Sequence, residues 1–386
     1  MPDTIPESPA CSRPGVKPAR NSSLELYRII AMLLIVAHHY VLNSGLTNPG
    51  GVIYSDPFSA KSVFLLFFGA FGKAGINCFM LITGYFMCTS SISLKKFVRV
   101  LCEVLFYHII INSIFWITGY APFSLKSMVK ELFPVTELNQ NFTGCYLVFF
   151  LCIPFLNILV RHMTERQHLR LLALLFFAYV VMGTVPIFSV SMNYISWFMV
   201  LYLTAAYIRL YPRGLFQNAR LAGWLSLFSV LASLLSVLFC LWLGQKMQRE
   251  MAYAFVFDAN NFLAFLTGVT TFLLFKNLKL PHSSFINSVA ASTFGVLLIH
   301  ANSGAMRRFL WRDVLKNVEF YSSPLMPLHA IGSVIGIFVL CVLIDQCRIH
   351  LIEKPCLKLY DRIEPRVVAW YKHIEDKWCD RLHIGQ

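Results

Sequence analysis

The sequence predicts an all-α polytopic membrane protein of about ten transmembrane helices with both termini in the cytoplasm, and three observations carry that prediction. Of the 386 residues, 57% are hydrophobic and 13% are charged, where a soluble globular chain carries about a quarter charged; the mean hydropathy is +0.62. The apolar residues arrive in uninterrupted blocks of roughly 18 to 24, each long enough for a helix to cross about 30 Å of hydrocarbon. The larger share of the 33 lysines and arginines falls on the side that the two termini share, and positive charge stays in the cytoplasm.

Taken in order, residues 1–21 are rich in proline and polar residues without a signal-peptide core, and a disordered cytoplasmic tail is expected there. Ser22 with Glu25 has the form of a capping box, which starts the first span, 24–42, at about residue 23. The run FLLFFGAFG at 64–72 is interrupted by Gly69 and Gly72. It reads as an outer-surface or re-entrant helix, since a glycine-broken helix facing lipid would be unusual; if it spans, the count becomes eleven. Further blocks follow at 74–92, 97–119, 144–160, 169–188, 194–211, 221–244, 259–276, 285–302 and 325–346. The loops holding Arg161, Arg166 and Arg170, and then Arg209, Arg213 and Arg220, belong to the cytoplasmic side, whereas Val185 to Tyr194 carries no Lys or Arg. Asn141-Phe142-Thr143 has the form of a glycosylation acceptor on the outer side. Residues 356–386 alternate charge with Tyr360, Trp370, Tyr371 and Trp378, which suits helices lying on the inner membrane face. The chain thus divides into a tail (1–21), a membrane domain (22–362) and a cytoplasmic interfacial tail (363–386).

The net charge of +14 does not call for nucleic acid. Topology and attraction to anionic lipid headgroups account for it, and no soluble domain is present to hold a nucleic-acid site. The eleven cysteines are scattered without a CxxC pair, so neither a disulfide framework nor a metal site is expected, nor a permanently bound cofactor.

Chemistry concentrates in the first span, RIIAMLLIVAHHY at 28–40. Arg28 and His39 are eleven residues apart, or three turns plus about 20°, so both project from one face some 16.5 Å apart along the axis. Arg28 lies near the cytoplasmic mouth, where it can snorkel as an ordinary anchor, and His39 lies towards the far leaflet. His38 faces elsewhere, and solvation at a helix end explains it as well as any role does. An ionisable group aligned with an arginine inside a membrane bundle points to a pathway or to catalysis, and an imidazole suits proton transfer near neutral pH.

This arginine and histidine, in the context LELYRIIAMLLIVAHH, resemble the opening signature of the acyltransferase 3 family of bacterial integral-membrane O-acyltransferases. The likeness continues in family order through GKAGINCFMLITGYFM at 72–87, LKKFVRVL at 94–101, YLVFFLCIPFLN at 146–157, FGVLLIH at 294–300 and IEKP at 352–355. The chain departs from the family pattern at Thr83, where serine is usual, at Leu297, where tyrosine is common, and at Cys145, where an aromatic residue often stands.

The resemblance implies transfer of an acyl group, most often acetyl from acetyl-CoA, onto a carbohydrate hydroxyl in the bacterial cytoplasmic membrane. It makes His39 the general base, and it makes Arg28 and Arg99 contacts to the donor's phosphates. Lys96 shares a helix face and cytoplasmic depth with Arg99 and reads equally as a topology residue or a donor contact. His300, closing the ninth span outward, is implied as a residue that positions acceptor or base. Glu353 reads either as a salt-bridge partner of Lys354 or Arg348 or as part of the donor site. The expected partners are acyl-CoA as co-substrate, a carbohydrate or glycolipid acceptor and the bilayer, with a separate transferase partner if the chain only relays the acyl group. Two rival readings are a transmembrane acyl relay or small-molecule transporter, and a sensor or scaffold in which these polar residues only set topology.

Overall fold

The computed structural model describes residues 20–363 except 137, 139, 140, 186 and 189–192, together with 366, 370 and 374. Residues 1–19 and most of 363–386, for which the two tails are expected, lie outside the described residues. Among those described the chain is all helix, and each of the ten apolar blocks coincides with helix. We label the principal helices α1 (Ser22–Leu42), α2 (Ala60–Gly69), α3 (Gly72–Met87), α4 (Leu94–Ile117), α5 (Phe142–His162) and α6 (Glu165–Leu175). There follow α7 (Tyr194–Leu210), α8 (Ala219–Met247), α9 (Phe262–Asn277), α10 (Ser284–Ala291), α11 (Thr293–His300), α12 (Gly304–Arg308) and α13 (Met326–Arg348). Three of them, α6, α12 and α13, run on into π-helical turns at Phe176–Val181, Phe309–Val314 and Ile349–Glu353.

Seven segments among the described residues are long and apolar enough to cross a membrane, or eight if 284–300 and 304–320, bent by 92°, count as one span. The protein is a multi-pass membrane protein. The difference from ten lies in α7 and α9, apolar helices of 17 and 16 residues and therefore about 24–26 Å long, short of a full crossing.

Two local expectations change in the structure. The run at 64–72 is neither a surface helix nor an extra span: α2 and α3 form one apolar segment, Ala60–Met87, of 28 residues, and α2 packs on α1, α8 and α13. The cap of α1 is Asn21, whose side chain accepts from the amides of Ser23 and Leu24. Ser22 and Ser23 instead tie the helix to distant chain, Ser22 to Asn287 at 3.2 Å and Ser23 to the Leu278 carbonyl at 2.8 Å. Asn141, read from the sequence as a possible glycan acceptor, caps α5 with its side-chain oxygen, which accepts from the amides of Thr143 and Gly144.

Helix α1 occupies the middle of the bundle, touching α2, α3, α9, α10, α11 and α13. A central helix must bury nearly its whole circumference, and Leu24, Tyr27, Ala31, Met32, Ile35 and Val36 are all buried. Close approach of α3 depends on Gly72, where a Cβ would come within 2.2 Å of the His38 Cβ.

Candidate active site

His300 closes α11 beside the last turns of α1. It is fully buried, and its Nδ1 lies 2.6 Å from the Val296 carbonyl oxygen one turn back. A carbonyl only accepts, so Nδ1 carries the proton and Nε2 presents a lone pair. That Nε2 lies 2.9 Å from Nδ1 of His39, which is therefore the donor. His39 is protonated on Nδ1, and its Nε2 is left as a free base, with orientation and tautomer both set by the hydrogen bond on the other nitrogen. His39 is half-buried.

His38 is spent differently. It is buried, and its Nδ1 donates to the Gly69 carbonyl at 2.6 Å, pinning α1 to the junction of α2 and α3. Around the histidine pair stands an aromatic wall. Trp311 meets His300 edge-on at 6.4 Å and Tyr40 at 5.9 Å between ring centroids, and the Tyr40 hydroxyl shares a hydrogen bond of 2.8 Å with His329. Lys73 on α3 follows Gly72, which packs against His38, and donates to the Tyr194 hydroxyl at 3.1 Å.

Arg28 stands at the opposite end of α1, half-buried, with Glu25 3.4 Å away. The Tyr146 ring packs against Phe294 at 5.5 Å. Arg28 and His39 both keep partial access, while Glu25, Tyr27, Ala31 and His38 are buried.

Arg99 and Glu353 belong to a second constellation. Arg348 is buried and meets Glu103 at 3.0 Å, Asp345 at 2.8 Å and Glu353 at 2.7 Å. Glu353 also holds Arg99 at 2.6 Å, and the Tyr107 hydroxyl donates to Asp345 at 2.8 Å. The π turn explains the pairing of Arg348 with Glu353, because its wider coil brings residue i+5 under residue i. Gly295 lets α11 reach this cluster: a Cβ there would stand 2.3 Å from Asp345 Oδ1. Lys96 is exposed and donates to the Ser91 carbonyl at 2.8 Å. A cavity of about 400 Å³ is lined by Arg20, His282, His350 and Lys354 among others.

The structure therefore joins His39 to His300 and Arg99 to Glu353, and it separates His38 from the first pair. Sequence reasoning left Glu103 and Asp345 without a role and treated Arg348 only as a partner for Glu353. Charges at 345, 348 and 353 closing an apolar span were the available signal. Trp311 had none, since it reaches His300 from a bent segment.

No curated protein and no solved structure matches the chain. A family model described as an acyltransferase domain matches residues 21–346, from the cap of α1 to the last turn of α13, and the chain belongs to that family, acyltransferase 3.

Proposed function

We propose that this protein is an O-acyltransferase of the bacterial cytoplasmic membrane that moves an acyl group, acetyl in the simplest case, from acyl-CoA to a hydroxyl of a cell-envelope or exported carbohydrate. The observation that carries this reading is the hydrogen-bond chain from Val296 through His300 to His39, which orients the ring and leaves its lone pair on Nε2. In the reaction His39 Nε2 takes the acceptor hydroxyl's proton as the oxygen bonds to the thioester carbonyl carbon. The tetrahedral intermediate collapses, the carbon–sulfur bond breaks, and the proton on Nε2 passes to the departing thiolate, so that ester and free CoA leave with His39 restored. The positive charge that His39 carries in between is stabilised by the lone pair of His300, a positioning residue that acts through His39.

Of the expected donor contacts we retain Arg28. Its axial separation from His39, about 16.5 Å, suits a pantetheine arm entering from the cytoplasmic end, and a guanidinium can hold phosphate oxygens bidentately. Arg99 and Glu353 serve as partners in the Arg348 cluster, and Lys96 as a topology residue.

The test is O-acetyl analysis of surface and secreted glycans by mass spectrometry in cells with the protein, without it, and with His39→Ala or His38→Ala, at matched protein levels. Acetyl groups lost in the deletion and in His39→Ala but kept in His38→Ala are expected. Retention in His39→Ala would refute the assignment of the base. Turnover of acetyl-CoA and acceptor by the purified protein alone separates the enzyme from a relay that needs a partner.

A further inference from the structure

The cavity beside Arg20 stands where α1 begins, α10 passes and α13 ends, and its volume of about 400 Å³ falls within the range of small-molecule sites, about 300–1,000 Å³. Hydrogen bonds fix its walls. Gln346 donates to the Ser288 carbonyl and the Ser292 hydroxyl, both at 2.8 Å, and buried Asn287 accepts from the Ser22 hydroxyl at 3.2 Å. Four basic side chains line this frame, Arg20, His282, His350 and Lys354, and no Asp or Glu stands with them among the described residues. Helix α13 and the turn that continues it sort their charges to that end. Gln346, His350 and Lys354 recur every four residues along the cavity, whereas Asp345 and Glu353 turn into the Arg348 cluster. Other acids at this end are engaged as well, Glu25 by Arg28, Asp361 by Lys95 and Glu165 by Arg213. Donors at the cavity are left over. Lys354 is exposed and has no hydrogen-bond or carboxylate partner among the described residues, and Arg20 spends one N–H on the Asn287 carbonyl at 3.2 Å. The Asn287 amide donates to His282 Nε2 at 3.1 Å, so His282 carries its proton on Nδ1 and can offer it.

Uncompensated positive charge on a concave, hydrogen-bonded frame focuses its potential on whatever enters. A guanidinium fork, an ammonium and an imidazole N–H together match the oxygens of a phosphate ester. Position says which phosphate. Ser22, tied to the cavity wall, and His39 bound a stretch of α1 about 26 Å long, whereas Arg28 lies about 16.5 Å from His39. A donor with its thioester at His39 and its diphosphate at Arg28 carries its phosphorylated ribose further along the same line, at the level of Ser22. Resting on the reading of the protein as an acyltransferase that uses acyl-CoA, we propose that this cavity binds the 3′-phosphate at the adenosine end of the donor, with Arg20, Lys354 and His282 as its contacts. The headgroup of an anionic lipid offers the same phosphate chemistry from the bilayer, without the adenosine.

The experiment uses purified full-length protein in nanodiscs of phosphatidylcholine, with and without phosphatidylglycerol. CoA and 3′-dephospho-CoA, which differ by that one phosphate, are titrated by calorimetry into the wild type, Arg20→Gln and Lys354→Gln. The wild type is expected to bind CoA about tenfold or more tightly than 3′-dephospho-CoA. Each variant should narrow that difference while keeping its affinity for 3′-dephospho-CoA within about twofold, and in turnover KM for acetyl-CoA should rise with kcat kept. Equal binding of the two probes by the wild type overturns the proposal. So does a loss of the same size on both probes, or a preference that neither variant changes. If the variants instead lose a rise in unfolding midpoint that phosphatidylglycerol gives the wild type, with the preference for CoA intact, the cavity is a lipid-headgroup site and the proposal falls. His39-dependent transfer that is blind to the 3′-phosphate would sink this inference and leave the acyltransferase reading standing. A preference for CoA that depends on Arg20 and Lys354, without any transfer, would do the reverse.

Discussion

Removing the acceptor that His300 offers to His39 tests the proton path most directly. In His300→Leu the 2.9 Å contact disappears, His39 is free to carry its proton on either nitrogen, and the imidazolium formed in the reaction loses its partner. A hydrogen bond to a charged group contributes about 1.5–3 kcal/mol. At 1.36 kcal/mol per tenfold in rate, that corresponds to a loss of about 10- to 150-fold in kcat. The interaction strengthens only as charge develops, so KM for either substrate should stay within about twofold. His39→Ala, which removes the base itself, should cost about 10²- to 10⁴-fold. The assay is acetyl transfer by purified protein in nanodiscs at saturating acetyl-CoA, with thermal unfolding of each variant recorded because His300 is fully buried. His300→Gln, whose side-chain oxygen can again accept from His39, should recover part of the loss. A folded His300→Leu protein with wild-type kcat, or one altered in KM alone, would refute the reasoning.

Three other substitutions separate catalysis from architecture. His38→Leu strips the Gly69 carbonyl of its 2.6 Å partner and should lower stability by about 1–3 kcal/mol, seen as a lower unfolding midpoint with kcat largely kept; activity as low as that of His39→Ala would contradict it. Gly295→Ala places a Cβ 2.3 Å from Asp345 Oδ1 and should destabilise by about 1–3 kcal/mol through overpacking, read as a lower midpoint on size exclusion after heating; an unchanged midpoint would count against the close approach. Arg348→Met leaves Glu103, Asp345 and Glu353 without their shared cation, and the expected loss is about 3–5 kcal/mol. Adding Glu103→Gln should restore part of it, and a single variant as stable as the wild type would show the cluster to be dispensable.

Much of the helix pattern was legible because a lipid-crossing segment announces itself by length and composition alone. The axial spacing of Arg28 and His39 was legible too, since 3.6-residue periodicity is a local property that needs no knowledge of distant neighbours. Local signals failed where a nearby competitor or a distant partner took over. The capping box at Ser22 and Glu25 lost to Asn21 because Ser22 had a stronger use 265 residues away. The glycines of FLLFFGAFG suggested a surface break, and they are instead contact points: Gly69 lends its carbonyl to His38, and Gly72 admits its ring.

The sequence by itself determined the class of protein, the position of most of its helices and the family, and it singled out His39 as the candidate base. Which of two adjacent histidines is reachable, which ring nitrogen holds the proton, and what stands opposite were decided by the tertiary structure. The physical reason is distance along the chain. Burial and periodicity are set by neighbours within a few turns, whereas the partner of His39 lies 261 residues away, and Trp311 reaches His300 from beyond a bend that no periodic pattern encodes.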